Sequence, residues 1–145
     1  MSDKLHELYQ NIILDHNKRP RHYGAPNGYT HSVDGFNLLC GDKVTVFLLL
    51  KNEHIEDIGF ESASCAICKS SASMMTEALC GKSLQVAKEV SGRVREWLSA
   101  DTDELVDPAM EGELIALSGV RKFPARIKCA LLPWETLMDI ESKGF

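Results

Sequence analysis

Leu5, Leu8, Tyr9, Ile12 and Ile13 recur at three- and four-residue intervals. This spacing predicts an amphipathic helix over about the first 15 residues that ends before Arg19-Pro20-Arg21. A polar loop bearing Pro and Gly follows, through Gly28. From Thr30 the pattern changes to short β-type runs, Thr30 to Phe36, Val44 to Leu50 and Ile55 to Ser62. They are separated only by Leu39-Cys40-Gly41-Asp42 and by Asn52-Glu53-His54, and connectors this short favour an antiparallel three-stranded meander. After Ser64 the helical period returns, with Ala72, Met75 and Leu79 on one side and Cys80-Gly81 as a C-terminal stop. Leu84, Ala87, Val90, Val94 and Trp97 predict a further helix, weakened in its middle by Gly92.

The stretch from Asp101 to Glu113 is acidic and aperiodic, so it reads as a surface excursion before a short helical piece around Leu114 to Leu117. The last helix, from Pro124 to Glu141, carries Ile127, Leu131, Trp134, Leu137 and Met138 at helical intervals. Pro133 inside it cannot donate to the carbonyl of Cys129, and a bend there is expected. Strands followed by helices give an α+β class: a three-stranded antiparallel sheet packed against a layer of helices, in one domain over residues 1–145.

Composition narrows the function. The 145 residues are 44% apolar and 26% charged, enough for one ordinary core. Asp and Glu number 21 against 16 Lys and Arg, an acidic balance that argues against nucleic acid as a partner. The longest apolar run, Val44 to Leu50 with Thr45 inside it, is far too short to span a bilayer, and the amino terminus shows no apolar signal core. A cytoplasmic protein without membrane contact is expected. Five cysteines in such a chain argue against a disulfide framework and leave metal ligation, redox chemistry, nucleophilic reactivity or burial for each thiol.

Three places carry chemistry. In Cys40-Gly41-Asp42 the glycine permits a tight turn that lets a thiol and a carboxylate converge. Cys65 follows Ser62-Ala63-Ser64 at a helix start, where unpaired N–H groups and the helix dipole favour a thiolate. Cys129 lies between Arg126 and Ala130 beside Lys128, and these cations are expected to favour its ionised form. Three thiolates and a carboxylate can complete a tetrahedral shell around Zn²⁺, and thiolates also hold iron–sulfur clusters. Residue types alone leave this reading level with scattered structural thiols.

Five stretches stand out together: Asn-Ile-Ile-Leu-Asp-His-Asn-Lys-Arg-Pro-Arg-His-Tyr-Gly over residues 11–24, Asn-Leu-Leu-Cys-Gly-Asp over 37–42 and Ser-Cys-Ala-Ile over 64–67. Ser-Ala-Ser-Met-Met-Thr-Glu-Ala over 71–78 and Lys-Phe-Pro-Ala-Arg-Ile-Lys-Cys-Ala over 122–130 complete the set. In this order they resemble the U-type iron–sulfur assembly proteins, the family of IscU and of the amino-terminal domain of NifU. The resemblance implies an IscU/SufE-like fold, with Cys40, Cys65 and Cys129 as functional thiols and Asp42 as their carboxylate companion. The chain has Val120 to Ile127 and Lys128 where members served by a heat-shock chaperone carry Leu-Pro-Pro-Val-Lys and often a His before the third cysteine. The segment between Cys65 and Cys129 is also longer than in IscU, which resembles the SufU branch. That branch implies zinc at the site, a PLP-dependent cysteine desulfurase as sulfur donor, and downstream scaffold or acceptor proteins.

Three functions follow. The first, which leads, is a zinc-dependent sulfurtransferase with Cys40 as sulfur acceptor. The second is a scaffold holding Fe²⁺ or a transient [2Fe–2S] or [4Fe–4S] cluster. The third is a thiol oxidoreductase built on the C-x-x-C formed by Cys65 and Cys68. Cys68 is an accessory ligand or a small core residue, and Cys80 is read as structural. Arg126, one helical turn from Cys129, is the accessory cation to watch. Asp15-His16 and Arg19 to His22 read as a partner surface or a capped helix end, and His6, His31 and His54 are left out of the site.

Overall fold

The computed structural model describes residues 2–99 and 112–142. The acidic excursion falls almost wholly outside them. Helix α1 spans Ser2–Lys18 and stops where Pro20 removes the next donor, the Arg19 N–H still reaching the Asp15 carbonyl at 2.8 Å. The Arg19 and Arg21 guanidiniums fold back onto the Asp15 carboxylate at 2.8 and 2.7 Å. They hold its pKa below the ordinary value, Arg21 more than Arg19.

Strands β1 (His31–Asn37), β2 (Asp42–Lys51) and β3 (His54–Ala63) form one antiparallel sheet in the order β1-β2-β3. The meander is as expected, but the ladder runs further than the apolar runs suggested. Asn37 pairs with Asp42 and Lys43 with Ala63, because backbone pairing continues through polar side chains that carry no hydrophobic signal. Asn52 and Glu53 both take left-handed φ values, 53° and 65°, and close the second hairpin in two residues. Val44, Val46 and Leu48 alternate inward along β2 with Ile58 and Phe60 opposite on β3, and all are buried.

Helix α2 (Ala66–Leu79) ends at Cys80, with Gly81 following at φ 81°, as the sequence indicates. Helix α3 spans Leu84–Ser99 and buries Ala87, Ser91, Val94 and Leu98. The short helical piece expected near Leu114 is an eleven-residue 3₁₀ helix, Gly112–Lys122, burying Leu114, Ala116, Leu117 and Val120. Helix α4 spans Pro124–Ser142, with Pro124 at its first position, where a missing donor is harmless, and with Pro133 accommodated inside it.

What fixes α2 is polar. Ser70, Ser71, Ser73 and Thr76 are all fully buried, and each hydroxyl has a partner on another element. Ser70 donates to the Ile13 carbonyl at 2.6 Å, and Thr76 to the Arg21 carbonyl at 3.1 Å. Ser73 Oγ accepts the Arg21 N–H and lies 2.8 Å from Nδ1 of the fully buried His16. Ser71 donates to the Ala130 carbonyl at 2.6 Å and accepts the indole N–H of Trp134 at 3.0 Å. Small side chains let the helices approach closely, and the hydroxyls satisfy polar groups that would otherwise be stranded.

Ser71→Ala therefore leaves the buried Trp134 N–H without an acceptor and is expected to destabilise the fold by about 1–3 kcal/mol in urea denaturation. Trp134→Phe in the Ser71→Ala background should restore part of that loss. A change in stability within about 0.5 kcal/mol for Ser71→Ala alone would refute this role.

Candidate metal centre

The turn between β1 and β2 projects from the sheet. Leu38 and Leu39 at its tip are 91% and 81% exposed, and Cys40 is exposed beside them. The Asn37 side-chain carbonyl accepts the Leu39 N–H at 3.2 Å, and Gly41 takes φ 71°, a backbone that β-carbon-bearing residues seldom adopt. The chain thereby turns back over residues 38–41, and Asp42 opens β2 opposite Asn37.

Asp42 is buried, and its carboxylate is the hub of the site. Oδ1 accepts the backbone N–H of Cys65 at 2.9 Å, and Oδ2 lies 3.8 Å from Cys65 Sγ. Cys65 is the N-cap of α2, its half-buried sulfur accepting the Cys68 N–H at 3.5 Å. From α4 comes Cys129, fully buried, whose sulfur is 3.5 Å from Cys40 Sγ. One ligand atom from each of Cys40, Asp42 and Cys129 lies within 4.8 Å of the other two. The structure thus brings the four sequence-selected residues to one end of the sheet, Cys65 joining through Asp42.

The donor set fits a tetrahedral cation. Zn–S bonds of about 2.3 Å imply sulfur–sulfur separations of roughly 3.8 Å around a tetrahedron, close to the 3.5 Å between Cys40 and Cys129, while Cys65 lies outside that mutually close group. Three thiols and a carboxylate suit Zn²⁺ or thiolate-held iron and are a poor match for Mg²⁺ or Ca²⁺.

The electrostatics correct one expectation. Arg126 and Lys128 do not dominate Cys129, whose thiol is pushed upward, first by burial and then by its contacts with Asp42 and Cys40. Several groups that would all be anionic face one another in a partly buried corner, so a proton or a cation must share the space. Arg126 is exposed and hydrogen-bonds Cys129, an interaction that raises the arginine's own pKa.

Cys68 is fully buried in the core, where desolvation pushes its thiol up to about 12. Its neighbour Cys65 is engaged by the Cys68 backbone, and these positions suit a packed core thiol better than an accessible redox pair. Cys80 lies at the far end of α2, away from the cluster.

Sequence reasoning passed over Asn37. Its amide nitrogen approaches Cys129 Sγ at 4.0 Å while its carbonyl braces the Cys40 turn, so one side chain touches both halves of the site. Its place at the head of the stretch 37–42 was the only available signal. His16 was read as part of a helix end, whereas it is buried between Ser73 and Glu113, 3.4 Å from the latter. An isolated histidine on a helix face gives no sign of this.

The chain is similar to several known proteins. Zinc-dependent sulfurtransferase SufU of Bacillus subtilis is 40% identical over 134 residues, covering 92% of this chain and 88% of that protein. The iron–sulfur cluster assembly scaffold protein IscU of Streptococcus pyogenes is 38% identical over 136 residues, covering 94% and 84%. A solved SufU structure from Fervidobacterium islandicum superposes with a TM-score of 0.83 at 32% identity, covering 93% of this chain and 97% of that one. Residues 8–130 match the model of the NifU-like N-terminal domain, and the chain belongs to that family.

Proposed function

We propose that this chain serves iron–sulfur cluster assembly by accepting sulfane sulfur from a PLP-dependent cysteine desulfurase at a Cys3Asp cation site and relaying it onward. The observation that carries the reading is the unequal exposure of converging thiols. Cys40 stands exposed on a turn tipped by Leu38 and Leu39, while Cys129 is buried and Cys65 half-buried. The name of the Bacillus subtilis relative, a zinc-dependent sulfurtransferase, supports the same reading.

In this proposal Asp42, Cys65 and Cys129 hold the ion, and Cys40 is the fourth ligand and the mobile thiol. Bound Zn²⁺ would keep its sulfur ligands deprotonated at neutral pH. The Cys40 thiolate attacks the outer sulfur of a persulfide on the donor enzyme. A sulfur–sulfur bond forms at Cys40, the donor's own breaks, and the electron pair leaves on the donor cysteine as thiolate. No net oxidation occurs. The exposed leucines lose water when a partner covers the turn, which would favour docking where the nucleophile stands. Arg126 lies close enough to pair with anionic sulfur at the same mouth.

A second reading, a scaffold on which a cluster is built and passed on, draws support from the same thiols and from the names of the IscU relatives. The two readings separate on the ion. Protein purified without added iron is expected to be colourless and to carry one zinc per chain by elemental analysis, with Cys129→Ser substoichiometric. A brown chromophore in place of zinc would favour the scaffold.

Cys40→Ala should lower persulfide accumulation from a desulfurase by about 100-fold or more. Cys68→Ser should leave it near the parent value, as read by mass spectrometry of the intact chain after alkylation. Persulfide loading of Cys40→Ala at the parent rate would remove Cys40 from the acceptor role.

A further inference from the structure

Three side chains that take no part in the Cys40 cluster meet at the other end of α2. One ligand atom from each of His22, Asp57 and Cys80 lies within 4.8 Å of the other two, and His22 Nδ1 is 3.9 Å from Asp57 Oδ1. They come from three segments: the loop after α1, the middle of β3, and the residue that caps α2 at its carboxyl end. Helix α2 has 14 residues, so at about 1.5 Å per residue roughly 21 Å separates Cys80 from Cys65 and the two clusters cannot share an ion.

The meeting is held by backbone. Phe60 N–H donates to the His22 carbonyl at 3.2 Å, and Gly24 N–H to the Phe60 carbonyl at 2.7 Å, so the loop is stitched to β3 on either side of Tyr23. This approach requires a glycine on the strand. A β-carbon at Gly59 would run into the Gly24 carbonyl and come within 3.0 Å of Pro26 Cδ. On the other side, Gly81 N–H donates to the Ile55 carbonyl and Ile55 N–H to the Lys82 carbonyl, both at 2.8 Å, which fixes the Cys80 cap against the start of β3. Asp57 Oδ1 accepts the Ile58 N–H at 2.9 Å, orienting the carboxylate from behind in the manner of an outer hydrogen bond to a metal ligand.

We propose that His22, Asp57 and Cys80 form a second cation site, taking one divalent late first-row transition metal and leaving a fourth position to solvent. An imidazole, a carboxylate and a thiolate are the donor types of three-ligand zinc-class sites, and the two anionic donors neutralise the ion. A thiolate and an imidazole select against Mg²⁺ and Ca²⁺. The His22 and Asp57 side chains remain 33% and 44% exposed, which leaves an entry path. Without a cation partial burial, and then the Asp57 carboxylate, disfavour the Cys80 thiolate; binding exchanges the thiol proton for the metal.

The test is cobalt titration of the tag-free full chain, reduced and anaerobic, following the thiolate-to-Co²⁺ charge-transfer band. One equivalent of cobalt is expected to give a band that disappears in Cys80→Ser and persists in Cys68→Ser. His22→Ala and Asp57→Asn should each weaken that equivalent by about 100-fold or more, beyond the loss expected for an outer hydrogen-bond partner. Thermal melts of the four apoproteins separate ligand loss from misfolding, and His22→Ala, at an exposed loop position, carries the test if Cys80→Ser melts early. A thiolate band of unchanged size and affinity in both Cys80→Ser and His22→Ala overturns the proposal, as does a titration showing no Cys80-dependent equivalent. The result is independent of the Cys40 cluster. Should that cluster bind no metal, the total falls by one equivalent and the Cys80-dependent one is unaffected.

Discussion

The bond from the Cys65 backbone N–H to Asp42 Oδ1, 2.9 Å long, is the joint on which the site depends. It fastens the first residue of β2 to the cap of α2, two points 23 residues apart along the chain. A helix start leaves its first N–H groups without partners and carries partial positive charge, so a buried carboxylate there satisfies a donor and meets a favourable field. The same carboxylate stands beside the Cys65 sulfur and within ligand distance of Cys40 and Cys129. Structural pinning and the proposed metal binding thus fall on two oxygens of one side chain, Oδ1 bonded to the Cys65 N–H and Oδ2 facing the Cys65 sulfur.

Cys129 reaches the site by a different route. It rides on α4, whose position is set by Trp134 and by the Ala130 carbonyl, both bonded to Ser71 of α2. Because Ser71 and Cys65 belong to the same helix, α2 fixes one thiol through its cap and another through its packed face. A shift of α2 would move Asp42's partner and Cys129's support together. Among the described residues the Cys40 turn is braced by Asn37 and by the contact of its sulfur with Cys129, and its leucines stand in water. The bracing from α2 therefore sits with Cys65 and Cys129, whereas Cys40, the acceptor in the proposed relay, stands exposed on its turn.

Much of the architecture was legible because apolar periodicity records burial directly. The alternation Val44, Val46, Leu48 and the helical spacing of Ala72, Met75 and Leu79 each name a face that the fold hides. Motif order brought Cys40, Asp42, Cys65 and Cys129 forward as a set, which spacing alone could not do. What the pattern could not convey was polar burial. Ser70, Ser71, Ser73, Thr76 and His16 look like solvent-facing residues until their partners on other helices are known. The rise in the Cys129 pKa was hidden for a related reason: Arg126 and Lys128 are neighbours in sequence, whereas burial, and after it Asp42 and Cys40, act only through the fold.

Helix α2 also explains why its two ends suit different charge. At the amino end the unpaired N–H groups favour anions, which agrees with a cap made of a cysteine sulfur and an aspartate oxygen. At the carboxyl end the field reverses, opposing a lone thiolate at Cys80 and favouring a positive charge beside it. A cation held there by His22, Asp57 and Cys80 would relieve both the repulsion between Cys80 and Asp57 and the dipole's opposition to the thiolate. At the amino end a cation in the proposed site would be held against the dipole, and three thiolates with the Asp42 carboxylate would supply the negative charge to outweigh it. If both proposed sites fill, more anionic donors stand where the helix field resists the ion and fewer where it assists.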